Sequence, residues 1–485
     1  PLESVPSFLE KADGTRLSSL QQPDGAWQPA SDLPSDATGT ETLLTNAEGE
    51  ILLRYLPAGT YRLVEGEFFG YSMGEPLEVV LTEAHTVEVP LTMTVENFPT
   101  ALEIRKTDLL TRAPLADVAF AIHDETGTAL SFAAGEDGAF HPVSAGESGS
   151  ATLRTDAQGL LRISHLPQGA YTLHETPLSG YVPLEPIPFE MTGAHTQEIP
   201  LRLDVQNLPT RLILEKQDAR TKEPLTGAHF ALADESGKRL SFVLQSDGTY
   251  HPAAAGEKGI SEIPVNEDGQ ILFQYLPAGT YQVTELSAPA GYALAAPIET
   301  EVGTETIRHT AEGSQTEDAA GNPFGETSLA VPNQPLALHI RKIHAKTKEP
   351  LPGAEFRLKA AGNANVPLRF TLEDGLYLYD PKGTTTTISL NDDCEALLCG
   401  LPAGKYLLEE SRTPHGFFPI APVTCSVEAQ HTLLAPLEVT VANAPEVKLG
   451  MDTDKYNVII ALLLTAVLSA AAISSALWLR RRSKR

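Results

Sequence analysis

The sequence LPAGTYRLVE at residues 56–65 recurs three more times, and this repeat decides the fold. The other copies are LPQGAYTLHE at 166–175, LPAGTYQVTE at 276–285 and LPAGKYLLEE at 401–410. The period of about 110 to 125 residues is too long for a solenoid repeat and has the size of a whole domain. The sequence therefore predicts an array of four similar domains, named here modules 1 to 4.

Each module consists of short runs of alternating apolar and polar residues, separated by Gly, Pro, Asn and Asp. Module 3, for example, contains LILEKQD at 212–218, GAHFALAD at 227–234 and LAVPN at 329–333. Many short runs of period two are typical of all-β sandwiches. We expect tandem, Ig-like β-sandwich domains with the following boundaries: 1–98, 99–208, 209–335 and 336–445.

Composition and charge limit the classes of function. The 485 residues carry 63 acidic against 35 basic side chains, a formal net charge of −28. This excess argues against a nucleic-acid partner, because phosphate binding needs a basic face. Hydrophobic residues make up 42% of the chain, which is enough for folded cores. No Gly-rich phosphate loop and no catalytic-triad spacing occurs, so we expect neither a turnover enzyme nor a cofactor.

The cysteines and histidines do not suggest a shared metal site. The three cysteines lack CxxC spacing: Cys394, Cys399 and Cys425. They can be two buried thiols and one spare thiol, or two of them can form a disulfide. His141 and His251 are equivalent in modules 2 and 3, but Gln28 and Asp380 stand at that position in the other two modules. No metal is therefore expected.

The C-terminus carries a membrane signal. Residues 458–479 contain no charge and are long enough to cross the hydrocarbon core, after a juxtamembrane spacer at 446–457. The tail at 480–485 is basic, which predicts that it is cytoplasmic and that the modules lie outside the cell. A buried soluble helix and a tail-anchored protein facing the cytoplasm are the alternatives. The chain begins at Pro1 without a leader, so we expect a processed chain or a fragment.

Modules 2 to 4 each place polar residues in phase with the apolar residues of three strands. Successive strand residues point to opposite faces, so a polar residue in phase with Leu102 and Ile104 faces the core with them. The polar residues are Lys106, Glu175 and Asn207; Lys216, Glu285 and Asn333; and Lys342, Glu410 and Asn443. Each Asn that precedes a further module stands nine residues before that module's Lys. Nine extended residues span about 30 Å, so the partners should lie within one module.

A Lys, a Glu and an Asn in one core have two interpretations. Unpaired burial is costly, so the first is a buried salt bridge with an amide neighbour. The second is chemical: burial lowers the pKa of a lysine and raises that of a glutamate, so the pair can be a neutral amine and a neutral acid. The amine is then a nucleophile, and the acid can hydrogen-bond the Asn carbonyl and move protons. Attack on that carbonyl would release ammonia and leave an isopeptide bond.

At these residues the sequence resembles the collagen-adhesin B-type, or SpaA-like prealbumin-like, domains of Gram-positive surface proteins and pilins. The resemblance covers almost all of residues 1–445 and is carried by IRKTD, GAHFAL, LPAGTYQVTELSAPAGY and the closing V-x-N. It implies a prealbumin-like fold, with a Lys in the first strand joined to an Asn in the last and a Glu assisting. The implied bonds are Lys106–Asn207 with Glu175, Lys216–Asn333 with Glu285, and Lys342–Asn443 with Glu410.

Module 1 departs from this pattern. Lys11 lies only 50 residues before Tyr61, whereas Lys106 lies 65 residues before Tyr171. The segment around Lys11, SFLEKADGTRLSS, aligns instead with the second strand of module 2. We therefore expect the opening strand to precede Pro1, and we expect Glu65 and Asn97 to be an unpaired remnant without an internal bond.

These features predict a membrane-anchored, cell-surface stalk or adhesin-like protein whose modules are held by self-made bonds. A ligand-binding adhesin for host matrix or carbohydrate and a sortase-assembled pilin subunit are the alternatives, with the cell wall or an extracellular host ligand as possible partners. The family's surface proteins usually carry Leu-Pro-x-Thr-Gly before the span, but residues 447–451 read VKLGM. Sortase processing is left open.

Overall fold

The structure is a computed structural model that describes residues 1–32, 38–144, 146–310, 313–319 and 321–446. The predicted span at 458–479, its tail and all but the first residue of the spacer lie outside these ranges. Among the residues described, no helix is long and apolar enough to cross a membrane.

The chain divides into two compact units. The first contains Pro1–Ala288 and Leu294–Asn333, and the second contains Pro289–Ala293 and the chain from Gln334 onward. Modules 1 to 3 make up most of the first unit, and module 4 makes up most of the second. Strands dominate the described residues of both units, which confirms the predicted all-β class.

The described residues of module 1 form one four-stranded sheet in the order β4-β1-β5-β6 and a separate hairpin, β2-β3. Its elements are β1 (Pro6–Lys11), β2 (Ser19–Gln21), β3 (Trp27–Pro29), a 3-10 helix (Ala30–Asp32), β4 (Leu43–Leu44), β5 (Gly59–Glu65) and β6 (Leu77–Leu81).

Module 2 has two sheets, in the orders β15-β7-β12-β10-β9 and β11-β8-β13-β14. Its strands are β7 (Ala101–Asp108), β8 (Ala119–Asp124), β9 (Phe132–Ala134), β10 (Phe140–Pro142), β11 (Leu153–Arg154), β12 (Leu160–Ser164), β13 (Gly169–Glu175), β14 (Ile187–Met191) and β15 (Leu201–Asn207). The side chains between the sheets form one core in which Ile104, Phe120 and Leu173 are no more than 1% exposed. The alternation of buried and exposed residues along β7 follows from the period-two pattern of its sequence.

Module 3 repeats this arrangement, with sheets β18-β19-β21-β16-β26 and β20-β17-β22-β23 and an added hairpin, β24-β25. Its strands are β16 (Arg211–Asp218), β17 (His229–Asp234), β18 (Phe242–Leu244), β19 (Tyr250–Pro252), β20 (Ile263–Pro264), β21 (Gln270–Gln274), β22 (Gly279–Ser287), β23 (Ile298–Val302), β24 (His309–Thr310), β25 (Gly313–Ser314) and β26 (Glu326–Asn333).

Module 4, in the second unit, has sheets β29-β30-β32-β27-β35 and β31-β28-β33-β34. Its elements are β27 (Ala337–His344), β28 (Glu355–Ala360), a 3-10 helix (Ala361–Asn363), β29 (Phe370–Glu373), β30 (Leu376–Tyr379), β31 (Ile388–Ser389), β32 (Glu395–Cys399), β33 (Gly404–Arg412), β34 (Val423–Val427) and β35 (Leu437–Asn443). All three cysteines are buried in this module, and no disulfide joins them within the described residues.

The first and last strands of modules 2 to 4 are neighbours in the sheet and run parallel. In module 2, β15 pairs with β7 so that Val205 lies opposite Lys106 and Asn207 opposite Asp108. The pairs β16–β26 and β27–β35 have the same parallel arrangement. The end of each module's last strand therefore lies beside the strand that opens the module.

The repeated Leu-Pro-x-Gly-x-Tyr motif forms a tight turn that its tyrosine closes. The Tyr171 hydroxyl donates to the backbone carbonyl of Pro167 at 2.9 Å, and the tyrosines of the other modules do the same at 2.8, 2.5 and 2.5 Å: Tyr61, Tyr281 and Tyr406. A buried hydroxyl needs a partner, which explains the fixed spacing of Pro and Tyr. Burial also raises the pKa of Tyr171 to about 12.

Modules 1 and 2 meet at a compact joint, which is repeated between modules 2 and 3. In the first joint the Thr100 hydroxyl donates to the Leu166 carbonyl at 2.6 Å and its backbone N–H donates to the Gly70 carbonyl at 3.0 Å. Thr210 makes the equivalent bonds to Leu276 at 2.6 Å and to Gly180 at 3.1 Å. Both threonines are fully buried. These bonds hold the short linkers that the sequence shows between the modules.

The glycines of these joints allow close backbone contact. Gly70 has a φ of 72°, and a Cβ there would lie 2.3 Å from the His165 carbonyl oxygen. Gly180 has a φ of 87°, and its Cβ would lie 2.8 Å from the Tyr275 carbonyl oxygen. A side chain at either position would be strained by the left-handed backbone conformation and would also clash with a backbone atom. A buried carboxylate adds to the second joint, because Asp108 accepts hydrogen bonds from Tyr181 at 3.0 Å and Tyr275 at 2.9 Å.

A segment of module 3 around β24 and β25 packs on module 2. Ile307 is buried with Val182 and Leu208 of module 2. The Ser314 hydroxyl donates to the Gln206 carbonyl at 2.5 Å, next to the end of β15. The polar sequence at 311–326 is typical of a surface loop, and most of its described side chains are exposed. The Ser314 contact nevertheless brings this segment onto the edge strand of module 2.

Candidate cross-link sites

Lys106 and Asn207 come together because their strands are parallel neighbours. Both side chains point into the core of module 2, where Lys106 is 0% and Asn207 1% exposed. Glu175 approaches from the facing sheet, at the end of β13. The three residues lie far apart in the sequence, and the fold brings their side chains into one site that is shielded from water.

In module 2 the carboxylate of Glu175 lies between the amine and the amide. The Lys106 Nζ lies 2.7 Å from Glu175 Oε2 and donates to Asn207 Oδ1. Asn207 Nδ2 donates to the other carboxylate oxygen, Glu175 Oε1. One side chain thus contacts both the nitrogen that would attack and the nitrogen that would leave.

Module 4 repeats this geometry. Lys342 Nζ lies 2.9 Å from Glu410 Oε1 and donates to Asn443 Oδ1. Asn443 Nδ2 donates to the two oxygens of Glu410 at 3.0 and 2.9 Å. The lysine and asparagine are 1% and 0% exposed, so water has little access to the site.

Module 3 gathers the same residues but orients the amine differently. Lys216 Nζ donates to the backbone carbonyl of Val331 at 2.8 Å and lies 3.8 Å from Glu285 Oε1. Asn333 Nδ2 donates to Glu285 at 2.8 and 3.0 Å, while the buried Asn333 Oδ1 has no hydrogen-bond partner. A rotation of the lysine side chain would bring its amine to this unpartnered carbonyl.

Module 1 retains only two members of the set. Asn97 Nδ2 donates to Glu65 Oε2 at 3.1 Å, and the Gly74 N–H donates to the same oxygen at 2.7 Å. Lys11 is exposed and lies opposite Tyr61 in the ladder between β1 and β5. Lys11 therefore lies on the strand that corresponds to the second strand of module 2, and it does not approach Glu65 and Asn97.

Burial lowers the pKa of all three core lysines. Desolvation is the largest cause for Lys106 and Lys342, and in each case the neighbouring glutamate acts in the opposite direction. Desolvation lowers the pKa of Lys216 to about 8, against the opposing charges of Glu285 and Asp218. A larger share of these amines is therefore neutral near pH 7 than for an exposed lysine, and only the neutral form is nucleophilic.

Aromatic rings that the sequence analysis did not assign also line two of the sites. The centroids of the Phe120 and Phe356 rings lie 5.9 Å from the Nζ atoms of Lys106 and Lys342. The sequence contains a pattern that could have indicated these rings, because Phe120, Phe230 and Phe356 occupy equivalent positions in the second strands of their modules. These rings help to keep the sites dry.

The residues considered for metal binding have other contacts. His141 Nε2 lies 3.0 Å from Asp137 Oδ1, and the His251 ring packs edge-on against Tyr275. In the described ranges, no group of three His, Cys, Asp or Glu side chains is arranged to hold a metal ion.

We expect cross-linking in module 3 to accelerate with pH. Below a pKa of about 8 the neutral fraction of Lys216 rises about tenfold per pH unit, and above it the fraction levels off. The measurement uses a chain carrying Asn207→Ala and Asn443→Ala, so that only module 3 can react. The chain is made by cell-free translation at pH 6 and moved to buffers from pH 6 to 9.5, and its mass is followed with time. A rate independent of pH would contradict attack by the neutral amine.

One family description matches the chain three times. The SpaA domain, described as a prealbumin-like fold domain, matches residues 100–202, 210–315 and 337–442, which together exceed half of the chain. A search of curated proteins finds no match.

Several solved structures are similar at low identity. The Bacillus anthracis TIE protein is 15% identical, with 91% of this chain and 69% of that chain covered and a TM-score of 0.30. The Streptococcal ancillary pilin is 18% identical, with 72% and 99% covered and a TM-score of 0.27. BcpA, the major pilin subunit of Bacillus cereus, is 15% identical, with 72% and 99% covered and a TM-score of 0.23. Such values are too low to transfer a function.

Proposed function

This chain belongs to the SpaA family of prealbumin-like fold domains, and from that membership and the three buried sites we propose that it is a cell-surface stalk. In this proposal, modules 2, 3 and 4 each form one internal isopeptide bond: Lys106–Asn207, Lys216–Asn333 and Lys342–Asn443. The chemistry occurs once in each module and involves no substrate turnover.

The bond would form by attack of a neutral amine on an amide. The Nζ lone pair adds to the Asn Cγ, the new Nζ–Cγ bond forms, and the Cγ–Nδ2 bond breaks. The glutamate takes a proton from Nζ and gives one to Nδ2, so that the leaving group departs as ammonia. The balance is one amine plus one carboxamide giving one secondary amide and one ammonia, with no oxidant or metal required.

The placement of Glu175 is the observation that best supports this step. Its two oxygens contact Lys106 Nζ and Asn207 Nδ2 at the same time, so a proton has a direct path from the first nitrogen to the second. A simple salt bridge would not need the amide in that position. Holding the reacting groups together in this way can supply about 7–11 kcal/mol of such a barrier.

The position of the bond fits a load-bearing function. Lys106 and Asn207 lie in the first and last strands of module 2, 101 residues apart. Tension applied to the ends of the module would therefore pass through the bond and bypass the strands between them. This suits an extracellular chain whose sheets carry no disulfide in the residues described.

Intact mass gives the direct test of the proposal. We expect a soluble chain of residues 1–446 to be lighter than its sequence mass by three ammonia molecules, because each bond releases one. Asn207→Ala, Asn333→Ala and Asn443→Ala should each restore one ammonia after correction for the substitution. The full sequence mass, measured in denaturant, would show that the residues form only buried ion pairs.

Anchorage is a separate part of the proposal. The uncharged residues 458–479 and the basic tail favour retention in the plasma membrane, with the tail in the cytoplasm. The SpaA domains also favour a second candidate, a pilin subunit assembled by sortase. Detergent should extract the membrane-retained form as a single chain. Release only by a wall hydrolase, as an SDS-resistant ladder, would favour the pilin.

A further inference from the structure

Module 3 contacts module 2 around Asn207, the asparagine of the proposed cross-link. Three residues of module 3 make these contacts and are named here the clasp residues: Tyr275, Ile307 and Ser314. They meet the residues that lie directly before, opposite and after Asn207: Gln206, Asp108 and Leu208. The Ser314 hydroxyl donates to the Gln206 carbonyl at 2.5 Å, and the Tyr275 hydroxyl donates to Asp108 at 2.9 Å. The third contact is apolar and joins side chains that are 0% and 7% exposed.

Two of the clasp residues lie in a connection that is longer in module 3 than in its neighbours. Asn333 follows Glu285 by 48 residues, whereas the corresponding separations are 32 residues in module 2 and 33 in module 4. His309, also in this connection, is half-buried, and burial and the positive charge of Lys106 both lower its pKa. The added chain therefore lies close to the amine of module 2 as well as to its asparagine.

Ile307 also holds the loop of module 2 that follows the strand of the glutamate. The Ile307 N–H donates to the Pro183 carbonyl at 3.0 Å, and the Ile307 carbonyl accepts from the Glu185 N–H at 2.9 Å. These two bonds pair residues 183–185 with module 3 in the manner of a short parallel ladder. The position of this loop is thus set partly by the following module.

The corresponding loops of the other modules contact the cross-link residues directly. In module 1 the Gly74 N–H donates to Glu65 at 2.7 Å, and in module 3 the Ala295 N–H donates to the glutamate at 2.6 Å. In module 4 the Phe418 carbonyl accepts from Asn443 Nδ2 at 3.1 Å. A loop in this place therefore helps to orient the glutamate and the asparagine, and in module 2 it is held from outside the module.

We propose that the clasp residues position Asn207 and Glu175 for the reaction, so that module 2 forms its bond only after module 3 has folded against it. The clasp residues touch neither reacting atom and act through their neighbours as positioning residues. This inference rests on the proposed cross-linking chemistry and adds an order to it. Synthesis completes module 2 before module 3, yet module 2 reacts only once module 3 is in place. A misplacement of about 1 Å at the reacting groups can slow such a reaction by about 10²-fold.

The test measures the rate of each bond separately in a chain of residues 1–446 with Ile307→Asn. The chain is made by cell-free translation at pH 6, moved to pH 8 and sampled with time, and the cross-linked peptide of each module is quantified by mass after digestion. We expect module 2 to react about 10–100-fold more slowly, while modules 3 and 4 keep their rates. Module 3 should be unaffected because Ile307 packs in a buried cluster separate from the core of module 3. Ile307→Val, which keeps the apolar contact, should restore the rate.

Leu244→Asn is the matched control. Leu244 lies on β18 of module 3 and is 56% exposed, so all three rates should be unchanged. The double variant Tyr275→Phe/Ser314→Ala removes only two hydroxyl donors and should also slow module 2 alone. It decides the question if Ile307→Asn slows module 3 as well.

The pH profile separates positioning from simple exclusion of water. Burial lowers the pKa of Lys106, so entry of water would raise that pKa and move the rate profile of module 2 to higher pH. A displaced Asn207 would instead lower the rate by the same factor at every pH. We expect this second result for Ile307→Asn, which adds no charge near the amine. A profile moved to higher pH would show that the contacts only keep the site dry, and it would overturn the inference.

The remaining outcomes separate the inference from the proposed function. An unchanged rate of module 2 in both the Ile307→Asn chain and the double variant would overturn the positioning and leave the function standing. Absence of ammonia loss from every module of the unsubstituted chain would overturn both.

Discussion

Glu410→Gln should leave module 4 without its cross-link over the time in which the unsubstituted chain reacts completely. The glutamine cannot take a proton from Lys342 or pass one to Asn443 Nδ2, although it fills the same space. Removal of a general acid–base group typically slows a reaction by about 10²–10⁴-fold. The measured mass should therefore show two ammonia losses in place of three, with the losses of modules 2 and 3 unchanged.

Glu409→Gln is the matched control for this variant. Glu409 is the adjacent residue on β33, and its carboxylate forms a surface ion pair with Lys359 at 2.8 Å. The same change in charge at this position should leave all three losses intact. If Glu410→Gln lost its third ammonia as fast as the control, the glutamate would not be the proton carrier.

Module 4 should lose much of its stability when its bond cannot form. The bond would close a loop between Lys342 and Asn443, which are 101 residues apart. By the chain-entropy treatment of disulfides, a loop of this length contributes about 4.7 kcal/mol. For a domain of this size, that corresponds to a fall in melting temperature on the order of 20–40 °C. Calorimetry of Asn443→Ala should show the transition of module 4 at the lower temperature.

A double-mutant comparison distinguishes the bond from simple loss of contacts. Lys342→Met removes the amine with little change in volume and should lower the transition by a similar amount. The double variant Lys342→Met/Asn443→Ala should then be little worse than either single one, because the bond can be lost only once. Additive effects would mean that each side chain acts through its own packing and that no covalent tie exists.

Much of the fold could be predicted because repetition and period-two patterning act together. The four copies of Leu-Pro-x-Gly-x-Tyr predict four modules, and the alternation along LEIRKTD placed Lys106 on the inward face of its strand, where it is buried. The same reasoning placed Glu175 and Asn207 inside, and the structure brings all three together. Pattern alone was sufficient here because each residue lies on a regular strand.

Features that depend on particular rotamers or on contacts between modules could not be predicted this way. The turn of Lys216 toward the Val331 carbonyl is a choice among staggered side-chain conformations that strand periodicity does not determine. Asp108 receives two tyrosines from distant parts of the chain, 73 and 167 residues away. The packing of Ile307 on module 2 is likewise a tertiary contact that strand periodicity does not predict.

The repeated joint bears on how such a protein could evolve. Module 2 carries both halves of the joint: the bend at His165 that receives Gly70, and Gly180, which docks on the bend at Tyr275. Corresponding halves stand 110 residues apart, since 180 − 70 = 110 and 275 − 165 = 110. Unequal recombination between neighbouring copies could therefore insert or delete one whole unit without creating a mismatched boundary. The length of the proposed stalk would then change in steps of one module.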